Sequence, residues 1–178
     1  MYELFILGQL MDHPMTGYSL RKAFITIAGN DQAISFGTLY PLMDKLERSK
    51  MINHKFETTD NDRIQKLAAI TESGKKRFYE LATVKTPVNK QTQLTFLMKI
   101  HFLHLLNREQ QVFVLEDFQA FSEAKLQHLQ SLKMGLEIND NMIQADIDDA
   151  LLVKQLQILR AQVQIDWVAQ LLKERKGA

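Results

Sequence analysis

The sequence predicts a mainly α-helical protein that carries one small β-hairpin. Over most of the 178 residues, apolar side chains recur every three or four positions, which is typical of amphipathic helices. The period changes to alternation only at Ile52, His54 and Phe56, as in a half-buried strand. Five of the seven glycines lie at or before Gly74, and residues 75–134 contain none. A turn-rich first part therefore precedes a long helical second part.

Three helices are predicted in the first fifty residues. The first begins near Leu4 and ends at Asp12-His13-Pro14, where proline interrupts the apolar spacing. Thr16 is expected to cap a second helix that ends at Gly29-Asn30, and Ser35 is expected to cap a third. The apolar side of the third helix, expected to face the core, consists of Leu39, Leu42, Met43 and Leu46.

A hairpin and a fourth helix follow. Extended stretches at residues 52–56 and 65–70 flank the polar turn 58–62. Thr71 is a candidate cap for a helix that contains Phe78 and Leu81. Three helices, a hairpin and a further helix are the element order of a winged helix-turn-helix.

The second part is predicted to be a long-helix dimerisation domain. Thr86-Pro87 marks the boundary, because the residue before proline avoids helical geometry, and this gives domains of residues 1–85 and 86–178. Helical stretches are predicted at residues 91–106, after Asn107, and at 144–173, and the last carries two apolar lines. We expect one line to pack within the chain and the other against a second copy; a bundle that covers both lines is the alternative. The candidate dimerisation residues are Leu151, Leu152, Leu156, Leu159 and Val163.

Composition excludes several classes of function. Lys and Arg number 22 against 21 Asp and Glu, so any nucleic-acid surface must be a local patch. Without cysteine there is neither a disulfide nor a thiolate metal site. The longest run free of charged residues has twelve members, too few for a membrane-spanning helix. The amino terminus shows no signal-peptide pattern, so we expect a cytoplasmic protein.

Neither an enzyme nor a bound cofactor is expected. Nucleophile-elbow, phosphate-loop, dinucleotide and zinc-protease motifs are all missing from the sequence. His101 and His104 are spaced to share a metal ion on a helix, but apolar residues surround them. Packing at a helix interface is the favoured interpretation of this pair, so no metal site is predicted.

The outward side of the third helix is the best candidate for a binding surface. If its apolar residues face inward, then Thr38, Tyr40, Pro41, Lys45 and Arg48 point outward. Hydroxyl groups at the front of such a helix suit base edges or phosphates, and cations further along suit phosphates. A merely solvated polar face is the alternative that the residues alone leave open.

The first part resembles the amino-terminal domain of the PadR family of bacterial transcriptional regulators. The resemblance rests on Pro14-Met15-Thr16-Gly17-Tyr18-Ser19-Leu20, on Gly37-Thr38-Leu39-Tyr40-Pro41-Leu42 and on Ile70-Thr71-Glu72-Ser73-Gly74. The second part is similar, more loosely, to the helical domain of phenolic-acid-responsive PadR regulators and virulence activators, through Phe102-Leu103, Leu115 and Asp166-Trp167. In two places the chain departs from the family: Lys50 stands where glycine is usual, and Leu67-Ala68 stands where the wing usually has tyrosine.

The resemblance implies a homodimeric repressor that binds double-stranded operator DNA and is released by an effector. The expected effector is a small apolar or phenolic molecule. The alternative is a helical interaction module whose winged domain binds a protein partner. The candidate DNA-binding residues, taken from the outward face and the matched motifs, are Tyr18, Ser35, Thr38, Tyr40, Lys45, Arg48, Arg63 and Lys66.

Overall fold

The computed structural model describes residues 1–29, 33–58 and 64–177, and it confirms the predicted fold class. By their internal contacts these residues form two compact units, one spanning Met1–Asn107 and one beginning at Arg108. The first contains a two-stranded antiparallel sheet among helices, and the second is a pair of long helices. No helix among the described residues is long and apolar enough to cross a membrane.

The first unit has the element order of a winged helix-turn-helix. Its elements are α1 (Tyr2–Gln9), α2 (Gly17–Ala28), α3 (Phe36–Arg48), β1 (Ile52–Thr58), β2 (Ile64–Ile70), α4 (Glu72–Thr83) and α5 (Thr92–His101). A short 3-10 turn, Leu103–Leu105, follows α5.

All three predicted helix caps are confirmed. The hydroxyl oxygen of Thr16 accepts a hydrogen bond from the backbone N–H of the third residue onward, at 3.0 Å, and so opens α2. Ser35 does the same for α3 at 3.2 Å, and Thr71 for α4 at 3.1 Å. Each hydroxyl satisfies one of the amides that the first helical turn leaves without a partner.

Position 50, where the chain departs from the family, lies in the turn between α3 and β1. Lys50 has φ +58°, in the left-handed region that favours glycine. The N–H of Lys50 donates to the Glu47 carbonyl, and the N–H of Met51 donates to the Leu46 carbonyl. These two bonds form a Schellman motif, which normally ends in glycine. Lysine therefore holds a glycine conformation here.

The hairpin is anchored at its base. Ile52 lies opposite Ile70 and Phe56 opposite Lys66 in the antiparallel register. Ala68 also exchanges two backbone hydrogen bonds with Met15, at 2.8 and 2.9 Å, just ahead of α2. The wing is thereby tied to the segment that positions α2.

Aromatic side chains build the core of the first unit. Phe5 and Phe24 meet edge to face with ring centres 5.0 Å apart, and Phe78 and Phe102 do so at 5.7 Å. Phe102 also lies on Gly8, where a Cβ would come within 2.6 Å of the ring. Phe102 therefore belongs to the core of the first compact unit, which extends to Asn107. The domain bounds of 1–85 and 86–178 stay a prediction.

The second unit is an antiparallel pair of helices, α6 (Arg108–Glu137) and α7 (Gln144–Gly177). The buried hydroxyl of Ser122 accepts a hydrogen bond from the Gln164 side chain at 2.6 Å. The side of α7 that packs on α6 buries Ile147, Ala161, Val168 and Leu172.

Candidate nucleic-acid interface

α3 presents the polar surface that the sequence predicts. Leu39, Met43 and Leu46 are buried, and Leu42 is half-buried, so the apolar underside lies against the core. The predicted residues on or next to this helix all have exposed side chains: Ser35, Thr38, Tyr40, Lys45 and Arg48. Their roles in binding DNA remain predictions.

Tyr18, Tyr40 and Lys66 lie together, although they come from three different elements. They line one concave surface, which encloses a volume of about 480 Å³ between the start of α2, the middle of α3 and strand β2. The two tyrosine side chains are 66% and 48% exposed, so much of each ring is available to a ligand. Asp44 and Gln65 line the same surface and add a carboxylate and an amide.

Gly17 determines how closely Tyr40 approaches α2. A Cβ at position 17 would lie 2.7 Å from Cε1 of Tyr40, which is closer than real Cβ contacts. The glycine of the Gly17-Tyr18 motif therefore makes room for the Tyr40 ring. This contact brings together the Gly17-Tyr18 motif and the motif that contains Tyr40, which are separate stretches in the sequence.

Lys45 lies on a different flank of α3 from Tyr40. Five residues of α-helix separate the two, which corresponds to about 140° around the axis. Lys45 borders a separate hollow that also contains Glu3, Arg77 and Glu80. The exposed surface of α3 is therefore broad, with Tyr40 and Lys45 on opposite sides of its outermost ridge.

A hydrogen bond connects the end of α3 to the wing. Nδ1 of His54, on β1, donates to Oε1 of Glu47 at 2.6 Å, and the histidine side chain is almost fully buried. This hydrogen bond holds the pKa of the Glu47 carboxyl below its usual range. This contact ties the end of α3 to strand β1 of the hairpin. Sequence reasoning missed it because the two residues lie on different elements.

Ser35 and Arg63 are two further candidate residues. The Ser35 side chain already caps α3 and lies 3.0 Å from the Thr38 hydroxyl, so both hydroxyl groups have a structural partner. Arg63 lies outside the described residues. On the described part of the wing, Phe56 and Ile64 are exposed beside Lys66.

A row of apolar side chains on α7 is exposed. Leu152, Leu156, Leu159 and Val163 are 65%, 50%, 56% and 68% exposed, and they follow one another at steps of four, three and four. Leu151 differs, because it is half-buried on the flank that turns toward α6. We call the four exposed residues the α7 stripe. An apolar stripe with this spacing is the usual contact surface of a partner helix.

His101, the last residue of α5, and His104, in the following 3-10 turn, lie against the end of α1. Nε2 of His101 is 3.1 Å from the Gln9 side-chain nitrogen, and His104 is 3.9 Å from Asp12. Partial burial, with the neighbouring His104 as a second cause, lowers the pKa of His101. Within the described part of the chain, no three His, Cys, Asp or Glu side chains are grouped to hold a metal ion.

Family models match both parts of the chain. Residues 6–80 match the model described as "Transcriptional regulator PadR-like family". Residues 94–175 match the model described as "Virulence activator alpha C-term". The two matches cover all three motifs on which the resemblance rested and most of the helical second part.

The chain is also similar to individual PadR proteins. The "Negative transcriptional regulator PadR" of Bacillus subtilis is 24% identical over 125 residues, which are 70% of this chain and 69% of that protein. The Bacillus subtilis PadR structure in complex with operator DNA is 20% identical, with a TM-score of 0.46 and 97% of each chain covered. The same protein in complex with p-coumaric acid gives 21% identity and a TM-score of 0.42, over 98% of this chain and 94% of that one. These relatives are transcriptional regulators and not enzymes. The chain belongs to the PadR-like family of transcriptional regulators.

Proposed function

We propose that this regulator is a homodimeric repressor whose α3 enters the major groove of an operator. The observation that carries the proposal is the exposed surface that joins Tyr18 and Tyr40 to Lys66 of the wing. Hydroxyl and ammonium groups on one concave surface suit base edges and phosphates. The major groove, about 12 Å wide, accepts a whole helix, so Tyr40 and Lys45 can both reach DNA from opposite flanks of α3.

The α7 stripe supports the dimer. Four large apolar side chains at coiled-coil spacing remain at least half exposed in one copy. A second copy of α7 would cover them and would double the DNA-binding surface. Two recognition helices then reach successive major grooves when they are about 34 Å apart. Leu151 contributes from the edge of this contact, since it is half-buried already.

A small molecule would release such a repressor by binding better to a dimer arrangement that does not fit the operator. We propose a phenolic acid as the first class of effector to test. The Bacillus subtilis relative is named a negative transcriptional regulator, and its structure was solved in complex with p-coumaric acid. Addition of p-coumaric acid to the protein–operator complex should raise the Kd for DNA. An unchanged Kd at saturating p-coumaric acid would contradict this part of the proposal.

The direct test is a titration of duplex DNA from upstream of the protein's own gene at several salt concentrations. Log affinity should fall linearly with log salt, because each neutralised phosphate releases counterions. Lys45→Ala should weaken binding and reduce the salt slope by about one, whereas Tyr40→Ala should weaken binding with little change in slope. Lys173→Ala is the matched control, because Lys173 is an exposed lysine on α7 rather than on α3. It should change neither the affinity nor the salt slope.

Two results would refute the proposal. Parental affinity in both α3 variants would remove this helix from the interface. A protein that binds no duplex at any salt concentration would favour the helical interaction module.

A further inference from the structure

We propose that Arg21, Phe36 and Tyr40 form a stacked column that fixes the Tyr40 ring and makes it a determinant of operator sequence. The inference rests on the proposed function, and it assigns positioning roles to Arg21 and Phe36. Neither residue was a candidate from the sequence. We call the three side chains the Arg21–Tyr40 column.

The column begins on α2. Nε of Arg21 donates a hydrogen bond to the carbonyl oxygen of Ile34 at 3.1 Å, one residue before the cap of α3. The guanidinium carbon of Arg21 lies 5.0 Å from the centre of the Phe36 ring, within the range of a cation–π contact. Arg21 therefore holds both the backbone entering α3 and the first side chain of that helix.

The second contact joins Phe36 to Tyr40. The rings are stacked, with centres 5.6 Å apart and planes inclined by 20°. Their spacing of four residues places them on the same side of α3. Phe36 is 40% exposed, so burial in the core does not explain an aromatic residue at this position. Its ring instead supports the Tyr40 ring.

The backbone of α2 restricts Tyr40 as well. The place of a Cβ on Gly17 lies 2.7 Å from Cε1 and 3.1 Å from Cζ of Tyr40. The ring is thus held by contacts from two helices, while its edge remains on the concave surface shared with Lys66. A half-exposed tyrosine would otherwise lose rotamer freedom on binding DNA.

A fixed ring affects selectivity more than bulk affinity. If Tyr40 could turn freely, it could adapt to several base steps at a similar energetic cost. Held by the column, it fits one arrangement of base edges and cannot move away from a wrong one. Phosphate contacts made by lysines do not depend on the column, so non-specific binding should be independent of it.

The experiment compares the Kd for the operator duplex with the Kd for a shuffled duplex of equal length. Phe36→Leu retains apolar bulk and removes the ring, and operator affinity should fall by roughly three- to tenfold. Affinity for the shuffled duplex and the salt slope should both stay at the parental value. Phe36→Tyr keeps the stack and should retain the operator preference.

The matched control is Phe113→Leu on α6, because Phe113 is 41% exposed, almost the same as Phe36. This control should keep the parental ratio of the two affinities. Proton NMR of the DNA-free protein gives a second measurement that does not require binding. The Tyr40 ring signals should carry a ring-current shift in the parent that Phe36→Leu abolishes and Phe36→Tyr preserves.

The inference fails if Phe36→Leu keeps the parental ratio, if it weakens both duplexes equally, or if Phe36→Tyr loses as much as Phe36→Leu. A parent that binds DNA without preferring the operator would overturn the inference and leave DNA binding intact. A parent that binds no duplex would overturn the proposed function and the selectivity role with it. An unshifted Tyr40 ring in the parent would show that the column is not formed.

Discussion

Charged substitutions on the α7 stripe should dissociate the dimer. Leu152→Glu together with Leu156→Glu places two carboxylates where we propose a partner helix packs. Full burial of a leucine side chain stabilises by about 1.5–3 kcal/mol. The two side chains are 65% and 50% exposed, so covering what remains is worth about 1 kcal/mol for each.

Four such side chains change in a symmetric dimer. The loss is about 4 kcal/mol, which raises the dimer Kd by about a thousandfold before any repulsion between carboxylates. Sedimentation velocity across micromolar concentrations measures this directly. Circular dichroism should remain parental, because both positions are exposed in the single chain. Gln155→Glu with Ala169→Glu adds the same charge at exposed positions of α7 outside the stripe, and it should sediment as the parent does. Parental sedimentation of the leucine double variant would show that the stripe is not the dimer contact.

Three further predictions concern the winged unit. Lys50→Gly should raise the free energy of unfolding by about 1 kcal/mol, since glycine adopts the observed φ of +58° without steric cost; a lower thermal midpoint would contradict this. Gly74→Ala should lower the free energy of unfolding by about 1–3 kcal/mol, because the new Cβ would collide with the carbonyl oxygen of Met51. An unchanged urea midpoint would refute the expected clash. The hydrogen bond from His54 lowers the pKa of Glu47, so the carboxylate contributes to the free energy of unfolding above the ordinary carboxyl pKa, and this contribution is lost as the pH falls through the lowered pKa. Glu47→Gln removes the titrating group, so its urea midpoint should fall less steeply in acid than that of the parent. An equally steep fall in both proteins would contradict the contribution of the Glu47–His54 hydrogen bond.

Local chemistry explains why much of the first unit could be predicted. The caps at Thr16, Ser35 and Thr71 depend on a hydroxyl and an amide three residues away, which a sequence displays directly. The outward face of α3 follows from helical periodicity alone. The exposure of Tyr40 and Lys45 was therefore predictable. The sequence grouped both residues on one outward face, whereas the structure places them on opposite flanks of α3.

Features that depend on tertiary contact were not predictable. The stack of Phe36 on Tyr40 has the right spacing, but its support by Arg21 requires knowledge of where α2 lies. Phe102 joins the first core by lying on Gly8, and no pattern in the sequence displays a contact between residues so far apart.

The same limit applies to the helical part. Periodicity showed two apolar lines on α7 without showing which one α6 covers. The structure buries the line with Ile147 and Val168 and leaves Leu152 exposed. Leu151, one residue away, is half-buried on the flank nearer α6. A single step along a helix turns the side chain by about 100°, which is enough to change its partner.

Hydroxyl-radical footprinting of the protein on its operator tests the proposed repressor most directly. We expect two protected patches whose centres lie about 10 base pairs apart, because two copies of α3 would occupy successive major grooves. Tyr40→Ala should weaken both patches together, and Leu152→Glu with Leu156→Glu should abolish the paired pattern. One isolated patch, or uniform cleavage at protein concentrations that saturate binding, would contradict a dimer that reads DNA through α3.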